Sequence, residues 1–595
     1  MNFNDLTDAQ IELIKTVYAD KSTPWEQRAY DLGKQFGVSE RTVRRWAAER
    51  LDLKEKYDIE PEQYIIAKSR KTKKKKYYLV TWAQNNTPVH AGFYRNLEAY
   101  AKFLNADIHA ILGRYKNPTS VFSNAKEDFW VEEVEKYMDA NRHNIHKYVT
   151  IMGDIKIQPT AVNPMSNMSA ISGKDSCIFG APKVQMETIP VLEGMQPKIM
   201  MSTGALTVRN YTDSKSGKIG DFHHVLGFTI VEIKDEETFF IRYVTANEDT
   251  GDFTDLCYKV EDGQVKHVDT ISAAVLGDLH LGEHDEKVVD TTLNVLLKKL
   301  KPKHLVLHDV FNGHSISHHE ANDPFKQYER EQDGSNSIKK EVDFMLEWLE
   351  NVQDYNVTVV RSNHDDFIDR WLKNSDWKRN IKNAKEYIEY SHILLSGKAS
   401  KGIVPYLINQ KFPHINTLDR SVMFNVKGWE LGQHGDIGAN GSRGSILQFR
   451  KLNTKCVVAH YHGPGRKDGA LAVGTSTRLR VGYNIGPSSW YQSHVIIHED
   501  SKAQHVNFNN GEFTTFPYFQ DRKKTIKKSK KIESKSSKKV ETKKSPSKKA
   551  SNKPIKKVSS KNISLKKPQN KSVVQKQLQK RAYIKSALGK RKKVI

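Results

Sequence analysis

Five apolar, β-branched runs between residues 271 and 462 each lead straight into a cluster of Asp, His or Asn. The clusters are "VLGDLH" (275–280), "HLVLHDVFNG" (304–313), "VTVVRSNHDD" (357–366), "WELGQHGD" (429–436) and "CVVAHYHGPG" (456–465). Between them lie segments of helical period, "DEKVVDTTLNVLLKKL" (285–300) and "IKKEVDFMLEWLENV" (338–352). Alternating strands and helices predict a layered α/β domain whose loops gather at the C-terminal ends of the strands. Asp278 and His280 lie two apart, as do His460 and His462, so strand alternation aims each pair at one face.

The residue types in those clusters carry a chemistry. Carboxylates, imidazoles and an amide oxygen suit Mn²⁺, Mg²⁺, Fe or Zn²⁺ rather than copper or iron–sulfur clusters. Asp278, His280, Asp309, Asn363, His434, His460 and His462 are too many ligands for one ion but fit two that share a bridging carboxylate. Two such ions, ~3.5–4 Å apart, clamp a phosphate and lower the pKa of a bridging water toward hydroxide. His364 follows a candidate ligand and is placed to protonate a leaving alkoxide or to hold a phosphoryl oxygen.

Charge is divided unevenly along the 595 residues. The net charge is +25, but from Arg522 onward 29 Lys/Arg face two acids, Glu533 and Glu541. The preceding 521 residues therefore hold 95 − 29 = 66 basic and 70 − 2 = 68 acidic groups, or −2. A Lys/Ser-rich tail with few large apolar side chains buries too little to fold alone; residues 521–595 are expected to be disordered and to bind nucleic acid by counterion release. Three widely spaced cysteines exclude a disulfide framework and zinc-finger spacing. No apolar run approaches the ~18–20 residues of a membrane span, and "MNFNDLTDAQ" is no secretory signal. The chain is expected in the cytoplasm, with no membrane partner and with a homo-oligomer open.

At the N-terminus, "GVSERTVRRWAAER" (37–50) supplies a glycine turn, an N-cap at Ser39 and a helix. Residues 1–60 thus resemble a helix-turn-helix module, with Arg41, Arg44 and Arg45 facing DNA; a plain helical hairpin is the alternative. A basic linker (61–76), a small α/β unit (77–150) and a β-rich section (151–268) lead to the domain at 269–520. His223 and His224 read as structural or surface groups. "GDIGANGSRG" (435–444) is a glycine-rich loop whose N–H groups and Arg443 could hold a phosphate, and His314, His318 and His319 lie near the same mouth.

The order DLH, HDVFNG, SNHD, QH, AHYH resembles the calcineurin-like metallophosphoesterases, whose pattern is DxH, GDxxD, GNH[DE], H, GHxH. The match covers about 275–465 and implies a β-sandwich flanked by helices. It further implies that Asp278, His280 and His462 hold one metal, that Asn363, His434 and His460 hold the other, that Asp309 bridges them, and that His364 is catalytic and oriented by Asp365. His308, Ser362 and Ala459 replace family glycines, and Asn312 stands where an Asp is common. "DLHLG" and the Asp after Asn-His are closest to the double-strand-break repair exonuclease branch, and the layout of the chain is similar to phage metallophosphoesterases of early DNA degradation and DNA transfer. The expected activity is a DNA nuclease that uses two divalent ions, Mn²⁺ first, and a hydroxide bridging them. A protein or small-molecule phosphatase and a non-enzymatic nucleic-acid-binding protein are the alternatives.

Overall fold

Along the strand Ile271–Val275, Ala273 and Val275 face one core and Ala274 another. The same division separates Val306 from Leu305 and Leu307, Val360 from Val357 and Val359, and Val495 and Ile497 from Ile496. Uninterrupted apolar runs are what a strand covered on both faces requires. The computed structural model describes residues 2–20, 25–53, 74–115, 130–452 and 454–520. The expected tail at 521–595 and all but residues 74–76 of the basic linker lie outside them.

These strands form a six-stranded sheet in the order Asn416–Leu418, Val357–Val360, Pro302–Leu307, Ile271–Val275, Ser493–Ile497, Ala503–Asn507. The first four run parallel, and the last two are antiparallel. One face packs on helices Ile338–Leu349, Asp366–Asn374 and Ile403–Lys411. The other packs Ala273, Val306 and Val495 against Val426, Trp429, Val457 and Leu471 of a second, ten-stranded sheet. The chain is therefore a mixed α/β protein with several sheets.

Strands from 142–202 and from 425–472 belong to that one ten-stranded sheet. They join where Gln185–Ile189 pairs antiparallel with Gly465–Lys467, Arg466 standing opposite Met186. Earlier in the chain, Tyr77–Gln84 and Asp107–Gly113 pair in parallel across the helix Ala91–Leu104. Gly227–Ile233 and Phe239–Thr245 extend that sheet antiparallel.

At the N-terminus, helices Asp8–Ala19, Trp25–Phe36 and Glu40–Arg50 enclose Ile14, Tyr18, Leu32, Val43 and Trp46. Gly37 turns the chain at φ +65°, and Ser39 Oγ caps the last helix by accepting from Thr42 N at 3.2 Å. Among the described residues no helix is long and apolar enough to cross a membrane.

Candidate metal centre

Sharp turns follow the parallel strands, and they place the polar clusters. After Val275 the chain threads past the neighbouring strand at Gly277, where a Cβ would stand 2.7 Å from the Ser493 carbonyl oxygen. His280, Asp309, His460 and His462 then adopt left-handed backbone, with φ of 40°, 46°, 76° and 55°. Each such non-glycine conformation costs roughly 1–2 kcal/mol. Backbone strain of this kind persists where surrounding structure enforces it, and it clusters at functional sites.

The seven expected ligand residues converge as two triads around one carboxylate. In the first, His280 Nε2 lies 3.0 Å from His462 Nε2, and His462 Nε2 lies 3.1 Å from Asp278 Oδ2. In the second, Asn363 Oδ1 lies 3.0 Å from His434 Nε2 and 3.1 Å from His460 Nδ1. Asp309 Oδ2 stands between them, 3.3 Å from His280 Nε2 and 3.3 Å from His434 Nε2. A main-chain bond from His460 N to Asp278 Oδ2 (2.9 Å) ties the triads together.

Burial and pairing fit this group to cations. Asp278, His280, Asp309 and His462 are buried, and their donor atoms lie within 4.8 Å of one another. Both carboxylate oxygens of Asp309 and Oδ1 of Asp278 have no hydrogen bond of good geometry. An uncompensated buried carboxylate is costly, and a divalent ion is the natural compensation. Two imidazole nitrogens 3.0 Å apart also need a shared proton or a shared cation between them.

In the first triad the electrostatics agree. Burial, with Asp278 and Asp309 only partly opposing it, pushes His280 down to about 3, and His462 falls likewise to about 3. Both rings are therefore neutral, the form that ligates metal. Burial and the neighbouring Asp309 raise Asp278. Asp309 itself, despite its burial, is held well below the carboxylate range by His434 and His280. Against its own burial, His434 is lifted to about 9 by Asp309, so without an ion this ring carries a proton that metal binding would have to displace.

His364 stands beside the first triad, its ring centroid 4.4 Å from that of His280, and stacks on Phe367 at 4.5 Å. Its Nδ1 lies 2.6 Å from the main-chain carbonyl of Asn312. A carbonyl only accepts, so Nδ1 carries the proton and Nε2 faces the site. The expectation that Asp365 orients His364 is therefore corrected. Asp365 Oδ2 accepts from Ser362 N (2.9 Å), and Asp365 N donates to Ser362 Oγ (3.2 Å), which closes the turn. Since the Asn312 contact is main-chain, the Asp-to-Asn departure at 312 leaves it intact.

The chain is 30% identical over 490 residues to protein A1 of Escherichia phage T5, an alignment covering 77% of this chain and 87% of that protein. The chain belongs to that phage protein family. No family model and no solved structure matches it.

Beyond the ligands, a cleft of about 600 Å³ opens beside His460 and His462, with Arg443, Lys467 and Trp490 among its walls. The glycine-rich loop does not present its N–H groups there. Gly438 N donates to Ser442 O (2.7 Å), Gly444 N to Asp436 O (2.8 Å) and Gly441 N to Gly438 O (3.2 Å). The Arg443 side chain of the expected phosphate loop is exposed. Arg41, Arg44 and Arg45 line a shallow groove on the Glu40–Arg50 helix, with Arg44 3.6 Å from Glu40.

His224 is a buried structural group, bonded to Tyr211 Oη (2.8 Å) and the Thr207 carbonyl (2.9 Å). His223 pairs with Asp468 at 3.2 Å. His314 and His318 are engaged by Arg330 and Arg370, and His319 packs on His318.

Two features went unread in the sequence. His308 is fully buried with both ring nitrogens unpaired, 5.5 Å from the His434 ring, and burial pushes it down to about 3. A second group able to hold an ion joins His109, Asp139 and His143. Hydrogen bonds of 2.6 Å (His109–Asp139) and 2.7 Å (His143–Asp139) already occupy its donor atoms.

Proposed function

We propose that this chain is a two-metal-dependent phosphodiesterase of the calcineurin-like metallophosphoesterase superfamily, and that its substrate is DNA. The observation that carries the reading is the shared carboxylate: Asp309 Oδ2 lies equally 3.3 Å from His280 Nε2 and His434 Nε2, one in each triad. Asp278, His280 and His462 would hold one ion, Asn363, His434 and His460 the other, and Asp309 both. When bound, two divalent ions supply Lewis acidity and a nucleophilic water at neutral pH. Mn²⁺ is the first choice for this donor set, ahead of Mg²⁺, Fe and Zn²⁺.

The protein's own part is positioning. The main chain of 312 fixes Nδ1 of His364 as a donor, so that Nε2, once it too carries a proton, can donate to a phosphoryl oxygen or pass that proton to the departing alkoxide. Left-handed backbone at four of the site residues keeps the ligands preorganised. Substrate choice rests on charge: 29 basic residues against two acids from Arg522 onward suit a polyanion, and the arginines of the Glu40–Arg50 helix suit a duplex groove.

Incubating the full chain with Mn²⁺ and end-labelled DNA tests this. Fragments are expected from wild type and none from Asp309→Asn. DNA that stays intact with every divalent metal, while phosphopeptides or nucleotides are hydrolysed, would replace the nuclease reading with a phosphatase.

A further inference from the structure

The loop from Arg478 to Trp490, which the reading above does not use, leaves aromatic surface beside the first triad. Trp490 meets His462 edge-to-face, with centroids 4.1 Å apart at 89°. Tyr483 lies 5.8 Å from Trp490 and is 52% exposed, and Ile485 beside it is 89% exposed. Exposed apolar side chains of this size forgo up to roughly 1.5–3 kcal/mol of burial each, so the gathering of Tyr483 and Ile485 beside the half-buried Trp490 at one functional mouth calls for a ligand.

The ring is also anchored. Trp490 N donates to Ser488 Oγ (3.2 Å), and Tyr491 N donates to the His462 carbonyl (3.0 Å). The main chain that carries Trp490 is therefore fixed to the loop that carries a candidate ligand. Trp490 lines the same cleft as His460 and His462, as do Arg443 and Lys467, the latter paired with Glu187 at 2.9 Å.

We infer that Trp490 and Tyr483 form a stacking site for the nucleobase adjoining the phosphate at the metal centre. Cations that track a backbone, together with an aromatic face, are the elements of sequence-independent single-strand binding, because every base has a π-face. A base can stack there only when it is unpaired, so the substrate at this mouth is single-stranded DNA or a frayed end. The inference rests on the phosphodiesterase reading and narrows its substrate.

The test uses the full chain, a thymidylate decamer and a decamer of abasic deoxyribose phosphates, which carry the same phosphates with and without bases. Stacking of one base is worth roughly 5- to 150-fold in affinity. With Mn²⁺, wild type should favour the thymidylate at least ~tenfold in kcat/KM. Trp490→Ala and Tyr483→Ala should bring that ratio toward one, and Trp490→Phe should keep most of it. Fluorescence anisotropy without divalent metal should give the same ranking for binding, independent of turnover. Tyr483 is half exposed, so its variant decides the matter if Trp490→Ala does not fold. Wild type that cleaves neither decamer but cuts duplex DNA overturns the inference alone, and wild type that cleaves no DNA at all overturns the phosphodiesterase reading and the inference with it. Wild type that cleaves, with a base preference unchanged in both alanine variants, overturns the inference alone.

Discussion

Replacing Asp309 by Asn removes the one side chain shared by both triads while keeping its shape. An amide offers a single oxygen and turns an N–H₂ donor toward what would be a cation, so neither triad retains its anionic partner at 3.3 Å. The consequence is legible as metal-linked stability. Each ion that binds only the folded chain, at 100 times its Kd, contributes about 2.7 kcal/mol, and two contribute about 5 kcal/mol. For a domain of this size each kcal/mol moves Tm by about 2–4 °C, so Mn²⁺ should raise wild type by about 10–20 °C over its EDTA-stripped state. Asp309→Asn should gain less than about 5 °C under the same titration. Comparing each protein with its own stripped form cancels any effect of the substitution on the metal-free fold. Thermal melts paired with metal-to-protein ratios by mass spectrometry read both quantities. An equal rise in variant and wild type would refute the shared-carboxylate geometry.

Two further outcomes follow from the same structure. His224 is pushed down to about 4 by burial, so the unfolded chain binds this proton more readily than the folded one. Its contribution is complete above the ordinary histidine value near 6.5 and is lost as pH falls toward 4, worth about 3 kcal/mol; urea melts at about pH 7 and about pH 4.5 should show a shallower fall for His224→Gln. His364→Ala should lower turnover by about 10²–10⁴-fold with metal content unchanged, whereas Asn312→Ala, which keeps the main-chain carbonyl, should change turnover less than about tenfold; steady-state kinetics beside metal analysis separate the two.

How far the sequence reveals this protein depends on the range of the interaction. Strand alternation does not place Asp278 and His280, because the strand ends at Val275 and His280 turns at φ 40°, whereas Gly37 and Ser39 announce their turn and cap locally. The convergence of seven residues is legible because each cluster ends its own apolar strand. What escapes is pairing across long separations. Arg466 meets Met186 from 280 positions away, joining two stretches into one sheet, and Trp490 reaches His462 only through the fold. The roles of Asn312 and of the 435–444 loop turn on main-chain atoms, which residue identity does not report. A carbonyl took the place expected of Asp365, and the loop's own carbonyls consumed its N–H groups.

Anomalous diffraction from the full chain grown with Mn²⁺ tests the central claim most directly. Two peaks are expected, one within Asp278, His280 and His462 and one within Asn363, His434 and His460, with Asp309 touching both. A single peak confined to one triad, or density that leaves Asp309 uncoordinated, would contradict it.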